Sequence, residues 1–75
     1  NPSYGEFAIE FINAEPGQYV TEITTLEGRV VYKENVNIRQ INKTVKVNIS
    51  DFPAGIYMLK ISGGRLNYTG LIEKN

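Results

Sequence analysis

Cysteine, histidine and tryptophan are all missing from this 75-residue chain. Without cysteine there is no disulfide framework and no thiolate metal site, so a small domain must hold together on its apolar core alone. Life outside the cytoplasm is not thereby excluded; only the usual sign of it is withheld. Without histidine the commonest general base and neutral metal ligand is gone, and neither a Ser–His nor a Cys–His nucleophile pair can be assembled. Charge of one sign is lacking too: eight basic residues balance eight acidic ones. Arg29, Lys33, Arg39, Lys43, Lys46, Lys60, Arg65 and Lys74 are scattered rather than blocked. Nucleic-acid binding needs a concentrated patch that neutralises phosphates, so no nucleic-acid partner is expected. No apolar run approaches a membrane span, and no stretch reads as a signal peptide. The chain opens on Asn1-Pro2 without a Met, which reads as one domain cut from a longer protein, with any targeting segment upstream.

A 3.6-residue apolar period is also absent at any useful length, so essentially no helix is expected. What is present is alternation. Phe7, Ile9 and Phe11 alternate with Ala8 and Glu10 as a first strand, and Tyr19 to Leu26 is a β-branched second strand with imperfect alternation. Val30 to Tyr32 begins a third, which Val36 and Ile38 extend or follow as a separate piece. Arg39 to Lys43 reads as a loop crossing between sheets. Thr44–Ile49, Ile56–Ser62 and Leu66–Ile72 complete the set.

Turn chemistry separates these runs. Asn1-Pro2-Ser3-Tyr4-Gly5 reads as a turn or linker, and Asn13-Ala14-Glu15-Pro16-Gly17 as a type II turn. Leu26-Glu27-Gly28-Arg29-Val30 reads as a tight hairpin with Gly28 left-handed, and Gly63-Gly64 as another. The organising stretch is Ile49-Ser50-Asp51-Phe52-Pro53-Ala54-Gly55-Ile56-Tyr57. There Ser50 and Asp51 are expected to cap backbone N–H groups, Pro53 ends the ladder, and Gly55 supplies positive φ. Tyr57, entering the next strand just past this corner, resembles the tyrosine corner of immunoglobulin-like sandwiches, whose hydroxyl bonds to backbone a few residues upstream. The plainer alternative is a half-buried strand tyrosine.

Six or seven short strands with turns every 8–12 residues predict an all-β, immunoglobulin-like sandwich, with an open barrel second. A chain this short buries roughly 60–65% of its unfolded surface, so one domain of modest stability is expected. Catalysis is poorly provided for. Asp51 is the sole Asp and sits in the corner, and the seven Glu residues fall mostly on exposed or turn positions. A carboxylate pair converging in a cleft has little room here. Asn48, Ser50 and Asp51 offer one carboxylate, too few for a calcium site. Neither enzyme activity nor cofactor nor metal is expected. Asn42, Asn48 and Asn67 match the N-glycosylation pattern by chance composition and read as polar strand-edge positions. Ile56 and Met58 fall opposite the Tyr57, Leu59 and Ile61 face, so they point outward as a possible docking pair. An exposed sheet edge offers a second way to take a partner, by strand addition.

The Asn1-Pro2-Ser3-x-Gly5-Glu6-Phe7 opening, the Leu26-Glu27-Gly28-Arg29-Val30-Val31 hairpin and the Ile49–Tyr57 corner, in this order, are similar to one known family. The chain resembles the C-terminal sorting domain of the type IX (Por) secretion system of Gram-negative bacteria. Family members commonly carry a further Lys early in the last strand, where this chain has Thr69-Gly70-Leu71. The resemblance implies a sandwich of about seven strands at the end of a secreted protein, spanning residues 1–75. It implies passage from the periplasm across the outer membrane to the surface or medium, followed by removal of the domain. The partners implied are secretion-machinery proteins, an outer-membrane translocon and a sortase-like peptidase, with the domain itself a monomer. Gly5, Gly28, Pro53, Gly55, Tyr57 and Lys74 match as structural or recognition residues. The rival readings are an accessory fibronectin-like or carbohydrate-binding module using Tyr4, Tyr19, Tyr32 and Tyr68, a small secreted sandwich of other function, and a spacer.

Overall fold

A computed structural model describes residues 2–3 and 5–75, with side chains from Gly5 onward. Tyr4 as a sugar-platform residue, and the Asn1 and Tyr4 parts of the opening turn, lie outside the described residues. None of the described residues is helical. The strands are β1 (Pro2–Ser3), β2 (Glu6–Phe11), β3 (Gly17–Thr25), β4 (Val30–Ile38), β5 (Lys43–Asn48), β6 (Gly55–Gly63) and β7 (Leu66–Lys74). Pro2 and Ser3 thus form a short strand, where the sequence suggested linker.

Five strands make one sheet in the order β1-β7-β6-β3-β4, and β2 and β5 make the other. All pairings are antiparallel except β1 with β7. The order β7-β6-β3-β4 facing β2-β5, with the Pro53 corner leading into β6, is the immunoglobulin arrangement G-F-C-C′ over B-E. Among the described residues, no strand lies on the outer side of β2 or of β5.

The period-2 rows face each other between the sheets. Ile9, Phe11, Val45 and Val47 from the small sheet pack on Tyr19, Ile23, Ile38 and Ile61 from the large one. Burying one such side chain contributes about 1.5–3 kcal/mol, and several together stabilise a chain that has no disulfide. Val36 and Ile38 belong to one continuous β4, because their inward face continues the row begun at Tyr32. The loop from Arg39 to Asn42 carries the chain from the large sheet to the small one, as the sequence suggested. Ile23 and Thr24 are both buried although consecutive, at the place where the β3–β4 register shifts.

Two turn expectations need correction. Pro16-Gly17 does not form a type II turn, since Gly17 has φ 151°, far from the roughly +80° such a turn requires, and already opens β3. At the corner, the cap comes from Asn48, whose Oδ1 accepts from Ser50 N–H at 2.9 Å, while Phe52 N–H reaches Ile49 O at 2.9 Å. An Asn two residues before an N–H makes that Asx-type bond as readily as the Ser50 and Asp51 side chains would. Asn42 lies in the crossing loop and not on a strand, with its Oδ1 accepting from Asn13 N–H at 3.2 Å.

Candidate recognition surface

The Tyr57 hydroxyl donates to Pro53 O at 2.6 Å, which makes the corner a tyrosine corner. Pro53 ends the preceding ladder, and Gly55 opens β6 at φ 155°, a conformation that a Cβ disfavours. The Tyr57 ring is buried and lies 5.3 Å from the Phe52 ring. A second copy of the device stands at the entrance to β3. Tyr19 donates to Glu15 O at 2.6 Å, Gly17 sits two residues before it at φ 151°, and its ring lies 5.5 Å from that of Phe11. The signal was in the sequence: Glu15-Pro16-Gly17-Gln18-Tyr19 and Pro53-Ala54-Gly55-Ile56-Tyr57 share the Gly-x-Tyr spacing at a strand entrance.

The six residues singled out by resemblance come together at one end of the sandwich. Gly55 pairs with Lys74 in the β6–β7 ladder, and Ser3 pairs with Lys74 across β1 and β7. Thr25, at the mouth of the Gly28 hairpin, pairs with Tyr57. Gly5 O accepts from Ile49 N–H at 2.6 Å, which ties the β1–β2 crossing to the corner. Gly28 has φ 96°, and its hairpin is closed by Thr25 N–H to Arg29 O at 2.9 Å and Arg29 N–H to Thr25 Oγ1 at 3.1 Å. Gly5 needs no left-handed φ; a Cβ there would stand 3.3 Å from Ser50 Cβ.

The outward face near this end carries an apolar row. Met58 pairs with Leu71 and with Thr24, and Thr24, a buried polar residue, pairs with Val30, so the row crosses four strands from β7 to β4 with Thr24 interrupting its apolar members. Leu71 is 61% exposed, and Ile56, next along β6 on the same face, is 50% exposed, while Met58 is half-buried. The outward Ile56–Met58 pair is therefore part of a wider patch.

On the opposite side the sandwich is open. With five strands facing two, Ile72 is buried on the inner face of β7, but the Leu66–Tyr68 end of that face beside β2 is left uncovered among the described residues. The result is a cleft of about 1120 Å³ between the β2 edge and β7, floored by Leu59, Ile61 and Ile72. Tyr68 and Leu66, although on the inward parity of β7, remain 48% and 41% exposed there. The Tyr68 ring lies over Gly70, where a Cβ would meet its Oη at 2.5 Å.

No ring platform exists among the described tyrosines. Tyr19 and Tyr57 are buried, and Tyr32 on β4 and Tyr68 on β7 stand at opposite sides of the large sheet. Tyr32 instead donates to Glu34 Oε1 at 2.5 Å, and burial, then this bond and the carboxylate charge, push its pKa from 10.0 up to about 12. No group of three or more metal-binding side chains gathers among the described residues, and no helix there is long and apolar enough to cross a membrane.

The family profile described as the secretion system C-terminal sorting domain matches residues 1–73. The chain belongs to this family. No curated protein and no solved structure matches it. The sorting domain is a secretion signal for the type IX system, so the chain acts with that machinery in export across the outer membrane, to the cell surface or the medium. The family is not known as catalytic.

Proposed function

We propose that this chain is the single sorting domain of a longer secreted protein, read as a folded unit by an outer-membrane translocon and then removed by a sortase-like peptidase. It performs no reaction itself. The observation that carries the reading is the family match over nearly the whole chain, on a fold in which the matched residues gather at one end. In that role Gly5, Gly28, Pro53, Gly55 and Tyr57 hold the corner end in shape, and Lys74 ends the strand beside it.

The outward row through Leu71, Met58 and Val30 supplies an exposed apolar face of the kind that protein partners cover. Leu71→Lys adds a charge at an exposed position, so the domain keeps its fold. The test places a reporter ahead of residues 1–75 in a host that has this pathway and compares that fusion with its Leu71→Lys form. The native fusion is expected outside the cell with the 8.4 kDa domain missing from its mass, and the variant is expected to accumulate in the periplasm. An exported product that retains the domain would rule out removal, and undiminished export of the variant would rule out the row as the recognised face.

A further inference from the structure

We propose that the open cleft beside β2 takes an extended segment of a partner protein, added as a new strand to the small sheet, with apolar side chains inward and Lys or Arg outward. Gly5 O accepts from Ile49 N–H, so Gly5 and Ile49 form a hydrogen-bonded pair, and the pairs Phe7–Val47 and Ile9–Val45 follow by alternation. The backbone N–H and C=O groups of Glu6, Ala8 and Glu10 therefore point the other way, to the edge that no described strand covers. A strand edge of this kind is a template for one more strand, and main-chain bonding supplies affinity without regard to the partner's sequence.

The side chains then specify the occupant. A strand laid beside β2 would run over the inner face of β7, where Leu66 and Tyr68 are exposed above a floor of Leu59 and Ile61. Its inward residues must be apolar to cover them. Its outward residues would stand directly next to Glu6 and Glu10, both exposed, while Lys46, opposite Ala8, lies one strand further away on β5, and Glu15 and Arg65 stand on the cleft rim. Opposite charges on neighbouring strands stabilise the pairing and like charges oppose it. The carboxylates thus favour a basic outward row. In an immunoglobulin sandwich the place beside strand B belongs to strand A, so the occupant would complete the fold.

The inference rests on the sorting reading only for where the partner is met, and its test separates the two. The probe is a heptapeptide alternating Lys with Val, with a Glu-for-Lys version as control, and the readout is amide hydrogen exchange in the domain. The Lys peptide is expected to slow exchange at Glu6, Ala8 and Glu10 by about tenfold or more, leaving the already bonded Phe7 and Ile9 unchanged. Ala8→Pro removes an outward N–H without breaking a β2–β5 bond and should weaken the peptide about tenfold. Tyr68→Lys, at an exposed position, should do likewise and serves if the proline variant fails to fold. Lack of protection, protection confined to the β7 edge, equal binding of the Glu peptide, or protection that grows with domain concentration alone would each overturn the proposal. In the export assay, a folded Tyr68→Lys domain is expected to leave its reporter in the periplasm. Normal export of that variant overturns the role of the cleft in sorting and leaves the sorting reading intact. Failure of the native domain to export overturns the sorting reading, while the peptide measurement still decides the cleft.

Discussion

The Tyr57 hydroxyl donates to the Pro53 carbonyl at 2.6 Å, four residues upstream, and Tyr19 makes the same bond to Glu15. The two lie toward opposite ends of β6, since Tyr57 is in its first turn of pairing and Tyr19 packs against Gly63 at its end. Each bond clamps a chain entering the large sheet. Tyr57→Phe and Tyr19→Phe should each cost about 0.5–1.5 kcal/mol in urea unfolding, by removing the hydroxyl from a part-buried bond to the backbone. Because the sites do not touch, the double variant should lose the sum. A cost below about 0.3 kcal/mol for either would show that the bond does not hold its corner.

Gly63 is fixed by space rather than by turn chemistry. A Cβ there would stand 2.5 Å from Gln18 O and 2.9 Å from Tyr19 Cα, at a φ of 158°. Backbone cannot yield as a flexible side chain does, so Gly63→Ala should cost about 2–3 kcal/mol. Gly5→Ala meets only Ser50 Cβ, at 3.3 Å, and should cost less than about 1 kcal/mol. Equal midpoints in urea for the two variants would contradict this ordering.

Thr21 is fully buried in β3, and its Oγ1 has no hydrogen-bond partner among the described residues. Valine keeps the branched shape and removes an oxygen that lost its water for nothing. Thr21→Val should therefore raise stability by about 0.5–1.5 kcal/mol, read as a higher urea midpoint with unchanged slope.

Tyr32 gives the fold a dependence on alkaline pH. Burial first, then the Glu34 bond and charge, raise its pKa from 10.0 to about 12 in the folded chain. Below pH 10 both states keep the phenol proton. Between pH 10 and 12 the unfolded chain releases it first, so stability falls as pH rises through that window. Tyr32→Phe should remove this share of the fall, and Glu34→Gln should bring the phenol titration, followed by ultraviolet absorbance, back toward 10.

Strand positions and the corner were legible because alternation, Pro53 and Gly55 act locally. The second tyrosine corner was present as Gly17-x-Tyr19 but masked by Pro16-Gly17, which reads as a turn of its own. Nothing in the sequence separates Asn48 from Ser50 and Asp51 as the corner cap, because all three side chains can bond a nearby backbone N–H. The cleft had no local signal at all. Leu66 and Tyr68 read as an ordinary inward row, and only the count of strands in the two sheets leaves them uncovered. The apolar row from Leu71 to Val30 likewise depends on register, which brings four distant positions into line.

This small sandwich is an address for export. The most direct measurement fuses residues 1–75 to a periplasmic reporter and fractionates two hosts, one with the type IX machinery and one with its translocon deleted. Reporter at the surface or in the medium of the first host, and only in the periplasm of the second, is the predicted result. Reporter confined to the periplasm of both hosts would contradict it.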